Sequence, residues 1–186
     1  REGLGQVIPV DLKKYGIERK KISKKEFYED FRKSILEYQP GLIGFSTLEI
    51  TYDQGLELAN LIKDIKIPKI LGGIYPTFAP RIVLREPAID MICEGEGEEM
   101  LPELATCLEE KKDVTKILNL TIKQNGKIYR SGEVVSLEDL PTGDNIYGEK
   151  TGLRRPLIDM ENILLAPDYS VFDDRRFWKK MGGKAV

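Results

Sequence analysis

The chain has 186 residues, enough to bury one sizeable core and leave a smaller appendage. Hydrophobic residues make up 41% and charged residues 32%, the balance of a globular protein. With 29 Lys and Arg against 31 Asp and Glu, the net charge of −2 gives no field that favours nucleic acid or an anionic membrane. Histidine is absent, which excludes His-based general bases, Ser-His-Asp triads and His-ligated zinc or iron within this chain. No apolar run approaches the roughly 20 residues that span a bilayer, and the opening Arg-Glu-Gly-Leu-Gly is no signal peptide. Two cysteines, Cys93 and Cys107, make neither a disulfide framework nor a metal cluster. The expected location is the cytoplasm, and the absence of an initiating Met leads us to expect a fragment.

In chain order, residues 6–12 (Gln-Val-Ile-Pro-Val-Asp-Leu) read as a strand that Pro9 confines to a sheet edge. A basic stretch with Arg19, Lys20, Lys21, Lys24 and Lys25 reads as a solvated loop running into a first helical turn. Ser23 and Glu26 fit a capping box, Phe27, Phe31 and Ile35 recur on one helical face, and the helix is expected to end near Tyr38, before Pro40. Residues 42–45 are a short apolar run of the kind buried in a parallel sheet. Thr51 with Gln54 reads as a second capping box, opening an amphipathic helix over 52–65 with Leu58, Leu61, Ile62 and Ile65 as its buried stripe. Pro68 opens a second apolar strand over 69–71, and strand, helix, strand in this order is a right-handed βαβ unit.

Residues 76–87 read as a loop with a short helix around 81–84, followed by a strand over 89–93. A helix begins after Glu98 and Glu99, which suit its positive end, with Leu101, Leu104, Ala105 and Leu108 inward and Pro102 in the first turn. From Leu120 to Arg130 the pattern alternates around Asn125-Gly126, the signal of a hairpin with a type I′ turn. The remainder, over 141–186, is turn-rich and then mixes aromatics with charges without a period. The chain therefore divides into an α/β domain over 1–112, a β-hairpin extension over 113–140 and a linker over 141–186.

Each apolar strand stops in small or acidic residues: Ser46-Thr47, then Gly72-Gly73, then Glu94-Gly95-Glu96-Gly97. In parallel sheets, ligands sit outside the carboxyl ends of the strands, where these residues fall. Gly72-Gly73 lets a ligand approach the backbone with no Cβ in the way, or forms a tight turn. Ser46 and Thr47 offer hydroxyls to a ligand or to the next helix. Glu94 and Glu96 are candidates for an acid/base pair, for a ligand-lining loop, or for a merely polar loop, and Gly95-Glu-Gly97 lacks the full dinucleotide fingerprint. Three adjacent loops of this kind suit an extended ligand with a bulky body and a tail.

The order Pro40-Gly-Leu-Ile-Gly-Phe-Ser-Thr-Leu48, Leu71-Gly-Gly-Ile-Tyr-Pro-Thr77 and Glu94-Gly-Glu-Gly-Glu98 resembles the cobalamin-binding domain of cobalamin-dependent radical S-adenosylmethionine enzymes. That family includes methyltransferases and the anaerobic magnesium-protoporphyrin monomethyl ester cyclases. The resemblance covers residues 6–108 and continues into the hairpin and Pro167-Asp-Tyr-Ser-Val-Phe172. It implies a flavodoxin-like (Rossmann-like) α/β fold, a parallel sheet with flanking helices that lacks the family's first strand and carries a small C-terminal hairpin. Residues outside this sequence, shifted pairing of residues 6–12 or a strand-swapped homodimer would then complete the sheet.

The resemblance also implies the cofactor. Cobalamin would bind base-off, with Ser46, Thr47 and Leu48 at the Ser-x-Leu motif and Gly72 and Gly73 making room for the nucleotide tail. Ile74, Tyr75, Pro76, Thr77, Glu94, Gly95, Glu96 and Gly97 would line corrin and tail. Asp11-Leu-Lys-Lys-Tyr-Gly16 imitates the cobalt-ligating Asp-x-His-x-x-Gly loop of other cobalamin domains with Lys13 in the histidine place, so cobalt would have water or no ligand from below. Tyr75 stands where many members carry histidine. The family's Cys-x-x-x-Cys-x-x-Cys motif is absent, so S-adenosylmethionine and a [4Fe-4S] cluster would belong to a radical domain elsewhere in the same polypeptide. Two other readings compete: an α/β interaction or regulatory domain that binds no cobalamin, and a phosphoacceptor receiver domain, which needs an aspartate where Ser46 stands.

Overall fold

The computed structural model describes residues 23–141. The expected strand over 6–12, the 11–16 loop, the linker beyond Pro141 and the 167–172 segment lie outside the described residues. Ser23 caps helix α1 (Lys24–Tyr38) as expected: its hydroxyl accepts from Glu26 N at 3.1 Å, and its own N–H donates to the Glu26 carboxylate at 2.7 Å. Gln39, at φ 49°, ends the helix beside Pro40. No residue of α1 is buried. Phe31 and Ile35 are half-buried, and the Arg32 guanidinium closes on both oxygens of Asp64 at 2.7 and 2.6 Å and donates to Leu61 O at 2.8 Å.

Three strands follow in parallel: β1 (Ile43–Ser46), β2 (Lys69–Gly72) and β3 (Met91–Cys93). Their residues alternate between two apolar clusters. Leu71 and Ile92 face one with Tyr52, Ala59, Val83 and Leu84; Ile70, Met91 and Cys93 face the other with Met100 and Leu104. Burial on both faces is why these segments are apolar without a break, each large aliphatic contributing about 1.5–3 kcal/mol. β1 is the exception. Among the described residues it pairs with β2 alone, and its Gly44 and Ser46 are exposed.

Helix α2 (Glu49–Leu61) begins three residues before the expected start. Thr51 is its third residue rather than its cap, and its hydroxyl accepts from Leu48 N at 2.9 Å. The buried stripe is Tyr52, Gly55, Ala59 and Ile62; of the expected Leu58, Leu61, Ile62 and Ile65, Ile62 is buried as expected and the other three are half-buried. Small residues win this face because the helix lies close over the β1 carboxyl end: a Cβ on Gly55 would meet Thr47 Cγ2 at 2.7 Å.

A short helix absent from the sequence reading, α3 (Ile74–Phe78), follows Gly73 directly, and the expected helix near Arg81 is α4 (Pro80–Leu84). Helix α5 (Met100–Glu109) buries Met100 and Leu104, whereas Leu101 is 42% exposed and Ala105 is exposed, a rotation of about one position from the expected face.

Strands β4 (Leu120–Gln124) and β5 (Lys127–Arg130) form the expected hairpin, with Asn125 at φ 52° and Gly126 at φ 73°, as a type I′ turn requires. β4 runs antiparallel beside β3, and β6 (Glu133–Val135) adds a last strand. The order is β1-β2-β3-β4-β5-β6, an open mixed sheet with helices on both faces, which is a flavodoxin-like fold. After β6 the chain turns back to bury Leu140, whose carbonyl accepts from Arg81 of α4 at 2.8 and 3.2 Å.

Candidate functional site

Parallel pairing sets the three strand ends level. Ser46 is in register with Gly72, and a Cβ on Gly72 would lie 3.7 Å from Cys93 Cβ. The loops that follow are bonded to one another. Thr47 N donates to Gly72 O at 2.9 Å, Tyr75 N to Thr47 O at 3.3 Å, and Gly95 N to the Thr77 hydroxyl at 2.9 Å. Thr77 itself donates to Gly73 O at 3.0 Å. All three segments singled out from the sequence are thus brought together on one edge.

Within that edge the side chains divide by exposure. Ser46, Leu48, Ile74 and Gly95 are exposed, while Gly72, Gly73, Thr77, Glu96 and Gly97 are half-buried. Leu48 and Ile74 are 47% and 61% exposed, and Ile50 in the first turn of α2 is 86% exposed, so apolar surface stands beside the hydroxyls and glycines. Pro76 is buried. Tyr75 stacks on Tyr52 with ring centroids 4.4 Å apart. Burial pushes the Tyr52 phenol up to about 12.

Two groups carry information the sequence could not. Thr47 is 3% exposed and its hydroxyl has no hydrogen-bond partner among the described residues, an arrangement that costs about 1–3 kcal/mol until a polar group reaches it. The second concerns Gly73, at φ 98°, where a Cβ would stand 2.6 Å from Thr47 O and 2.9 Å from Thr47 N. Close approach at Gly73 is therefore to the protein's own backbone, and the tight-turn reading accounts for it.

Glu94 has a different place from its neighbours. It is 2% exposed, and its carboxylate accepts from Arg130 Nε at 3.1 Å, Arg130 Nη2 at 2.7 Å and the Thr121 hydroxyl. Asn119, at φ 67°, accepts from Glu94 N at 2.8 Å and donates through Nδ2 to Glu96 O at 2.9 Å. Sequence reasoning missed Thr121 and Arg130, for which strand alternation carries no signal. For Asn119 the signal was present: asparagine directly before a strand is a common left-handed turn residue. Among the described residues no group of three or more Cys, Asp and Glu is placed to hold a metal ion, and no helix is long and apolar enough to cross a membrane.

An exposed hydroxyl, glycines, apolar side chains and a buried hydroxyl with no partner among the described residues thus lie together on one sheet edge. Comparison with known proteins places the chain in a family. The uncharacterized methyltransferase PH0819 of Pyrococcus horikoshii is 31% identical over 104 residues, 54% of this chain and 23% of that one. The anaerobic magnesium-protoporphyrin IX monomethyl ester cyclase of Synechocystis is 31% identical over 72 residues, 38% of this chain and 14% of that protein. The chain thus spans less than a quarter of the length of these relatives. Among solved structures, the radical S-adenosylmethionine methyltransferase TsrM from Kitasatospora setae, with cobalamin and a [4Fe-4S] cluster bound, shares the fold at a TM-score of 0.50 and 21% identity, over 55% of this chain and 21% of that one. The model of the B12 binding domain matches residues 10–105, just over half of the 186, and the chain belongs to that family.

Proposed function

We propose that this chain is the cobalamin-holding module of a radical S-adenosylmethionine enzyme, a methyltransferase or a cyclase. The observation that carries the reading is that loops 46–48, 72–77 and 94–97 are bonded together on one sheet edge, where Thr47 carries a buried hydroxyl with no hydrogen-bond partner among the described residues. Ser46 and Thr47 donate to the nucleotide tail, with the lower base away from cobalt. Gly72 gives the tail room, since a Cβ there meets nothing closer than 3.7 Å. Leu48, Ile74 and the 95–97 loop cover the corrin. Tyr75, Pro76, Thr77 and Glu94 frame these loops from behind rather than line them.

Cobalamin supplies methyl transfer or a one-electron step when bound, in concert with S-adenosylmethionine and a [4Fe-4S] cluster on the radical domain of the same polypeptide. This chain's own share is binding, orientation and exclusion of water. With no histidine, it offers no imidazole to the metal.

Titration with hydroxocobalamin, followed by gel filtration and an absorbance spectrum of the protein peak, tests the proposal. Corrin retained with a base-off spectrum supports it, and Thr47→Val is expected to weaken retention while leaving the fold intact. Corrin that elutes free of a folded chain supports the α/β interaction domain instead.

A further inference from the structure

From the Glu94–Arg130 geometry we infer that the β4–β5 hairpin is part of the cofactor platform: Arg130, acting through Glu94, is a positioning residue for the 95–97 loop. This rests on the cobalamin reading above and extends it to a segment that the domain boundary at residue 112 leaves out.

The argument starts from cost. A buried ion pair adds little net stability, because desolvation cancels most of the attraction, and an apolar pair of similar volume is often as stable. What a bidentate guanidinium–carboxylate contact supplies is direction: two parallel N–H donors fix the plane of the acceptor. Here the acceptor is the last residue before the loop. Arg130 is 6% exposed and Glu94 2%, so water does not compete. Thr121 of β4 also donates to the same carboxylate.

The loop is held at further points by the residue that directly precedes the hairpin. Asn119 O accepts from Glu94 N, and Asn119 Nδ2 donates to Glu96 O at 2.9 Å. Its outer side is tied to Thr77 through Gly95 N. The loop therefore hangs between α3, at the carboxyl end of β2, and a hairpin 24 or more residues downstream of Glu96, and the hairpin end of that suspension is a fork with one orientation.

The test uses the full chain with Arg130→Lys, which keeps the counter-charge of Glu94 but removes the fork, and Arg130→Gln. Arg81→Met serves as the control, since Arg81 ties α4 to Leu140 and touches none of the three loops. Hydrogen exchange of the peptide spanning 94–99 and the Kd for hydroxocobalamin are measured at a temperature where circular dichroism shows each variant folded. Both Arg130 variants are expected to raise loop exchange and to raise Kd, the Gln variant by about tenfold or more, while Arg81→Met lowers Tm without changing either. Unchanged exchange in both Arg130 variants overturns the inference, as does faster exchange with unchanged Kd. Should the parent chain bind no corrin, the functional reading above fails, and the exchange measurement alone decides whether Arg130 positions the loop.

Discussion

Gly73→Ala separates the two meanings of the Gly-Gly pair. At Gly73 the backbone has φ 98°, and an added Cβ would stand 2.6 Å from Thr47 O and 2.9 Å from Thr47 N. A side chain at positive φ costs about 1–2 kcal/mol. Overpacking against atoms that cannot rotate away costs about 1–3 kcal/mol more. The expected loss of about 2–5 kcal/mol is a large part of the roughly 5–15 kcal/mol by which a domain is stable. With a urea m-value of about 2 kcal/mol/M, the midpoint falls by about 1–2.5 M. Gly72 is the internal control: its Cβ would meet Cys93 Cβ at 3.7 Å and Phe45 O at 4.0 Å, ordinary contact distances. Gly72→Ala is expected to keep the parent midpoint and to weaken corrin retention, because its cost falls on the tail rather than on the fold. Equal midpoints for Gly73→Ala and the parent would refute the reasoning, since backbone crossing at Thr47 would then not be what requires glycine.

Two further outcomes follow from the same edge. Alanine normally exceeds glycine in a helix by about 1 kcal/mol, yet Gly55→Ala is expected to destabilise, because its Cβ meets Thr47 Cγ2 at 2.7 Å. In a Thr47→Ser background, which removes that methyl, the same change is expected to stabilise; additive thermal shifts across the four proteins would contradict the contact. The Tyr52 phenol, pushed up to about 12 by burial, ionises near 10 in the unfolded chain. Its contribution to stability is whole below about pH 10 and is lost as the pH rises toward about 12. Because its hydroxyl is unpartnered, Tyr52→Phe is expected to leave neutral stability unchanged or raise it by about 1 kcal/mol and to make alkaline unfolding less steep, read by circular dichroism alongside tyrosinate absorbance. Loss of stability at neutral pH in that variant would show that the hydroxyl is paired.

Local chemistry made much of this molecule legible. Ser23 with Glu26 caps α1, Asn125-Gly126 closes the hairpin, and the apolar runs at 42–45, 69–71 and 89–93 supply the strands of a parallel sheet whose carboxyl ends gather the small residues. These features depend on residues a few positions apart, where propensity, capping and alternation act. The helix faces were less legible. Leu58, Leu61, Leu101 and Ala105 looked inward by spacing, but contact at the β1 end favours Gly55 and Ala59 on α2, and Met100 takes the inward place at the start of α5. An apolar count prefers the larger side chain; close packing of a helix on a strand end prefers the smaller.

What only the tertiary structure decided is which of the candidate residues stand exposed on the sheet edge and which are buried behind it. Glu94 reads in sequence as one more polar residue in a glycine-rich loop, and its partner Arg130 lies 36 positions away. A buried carboxylate must find a counter-charge wherever the fold supplies one. That choice is made when β4 docks against β3, a step that no local pattern encodes.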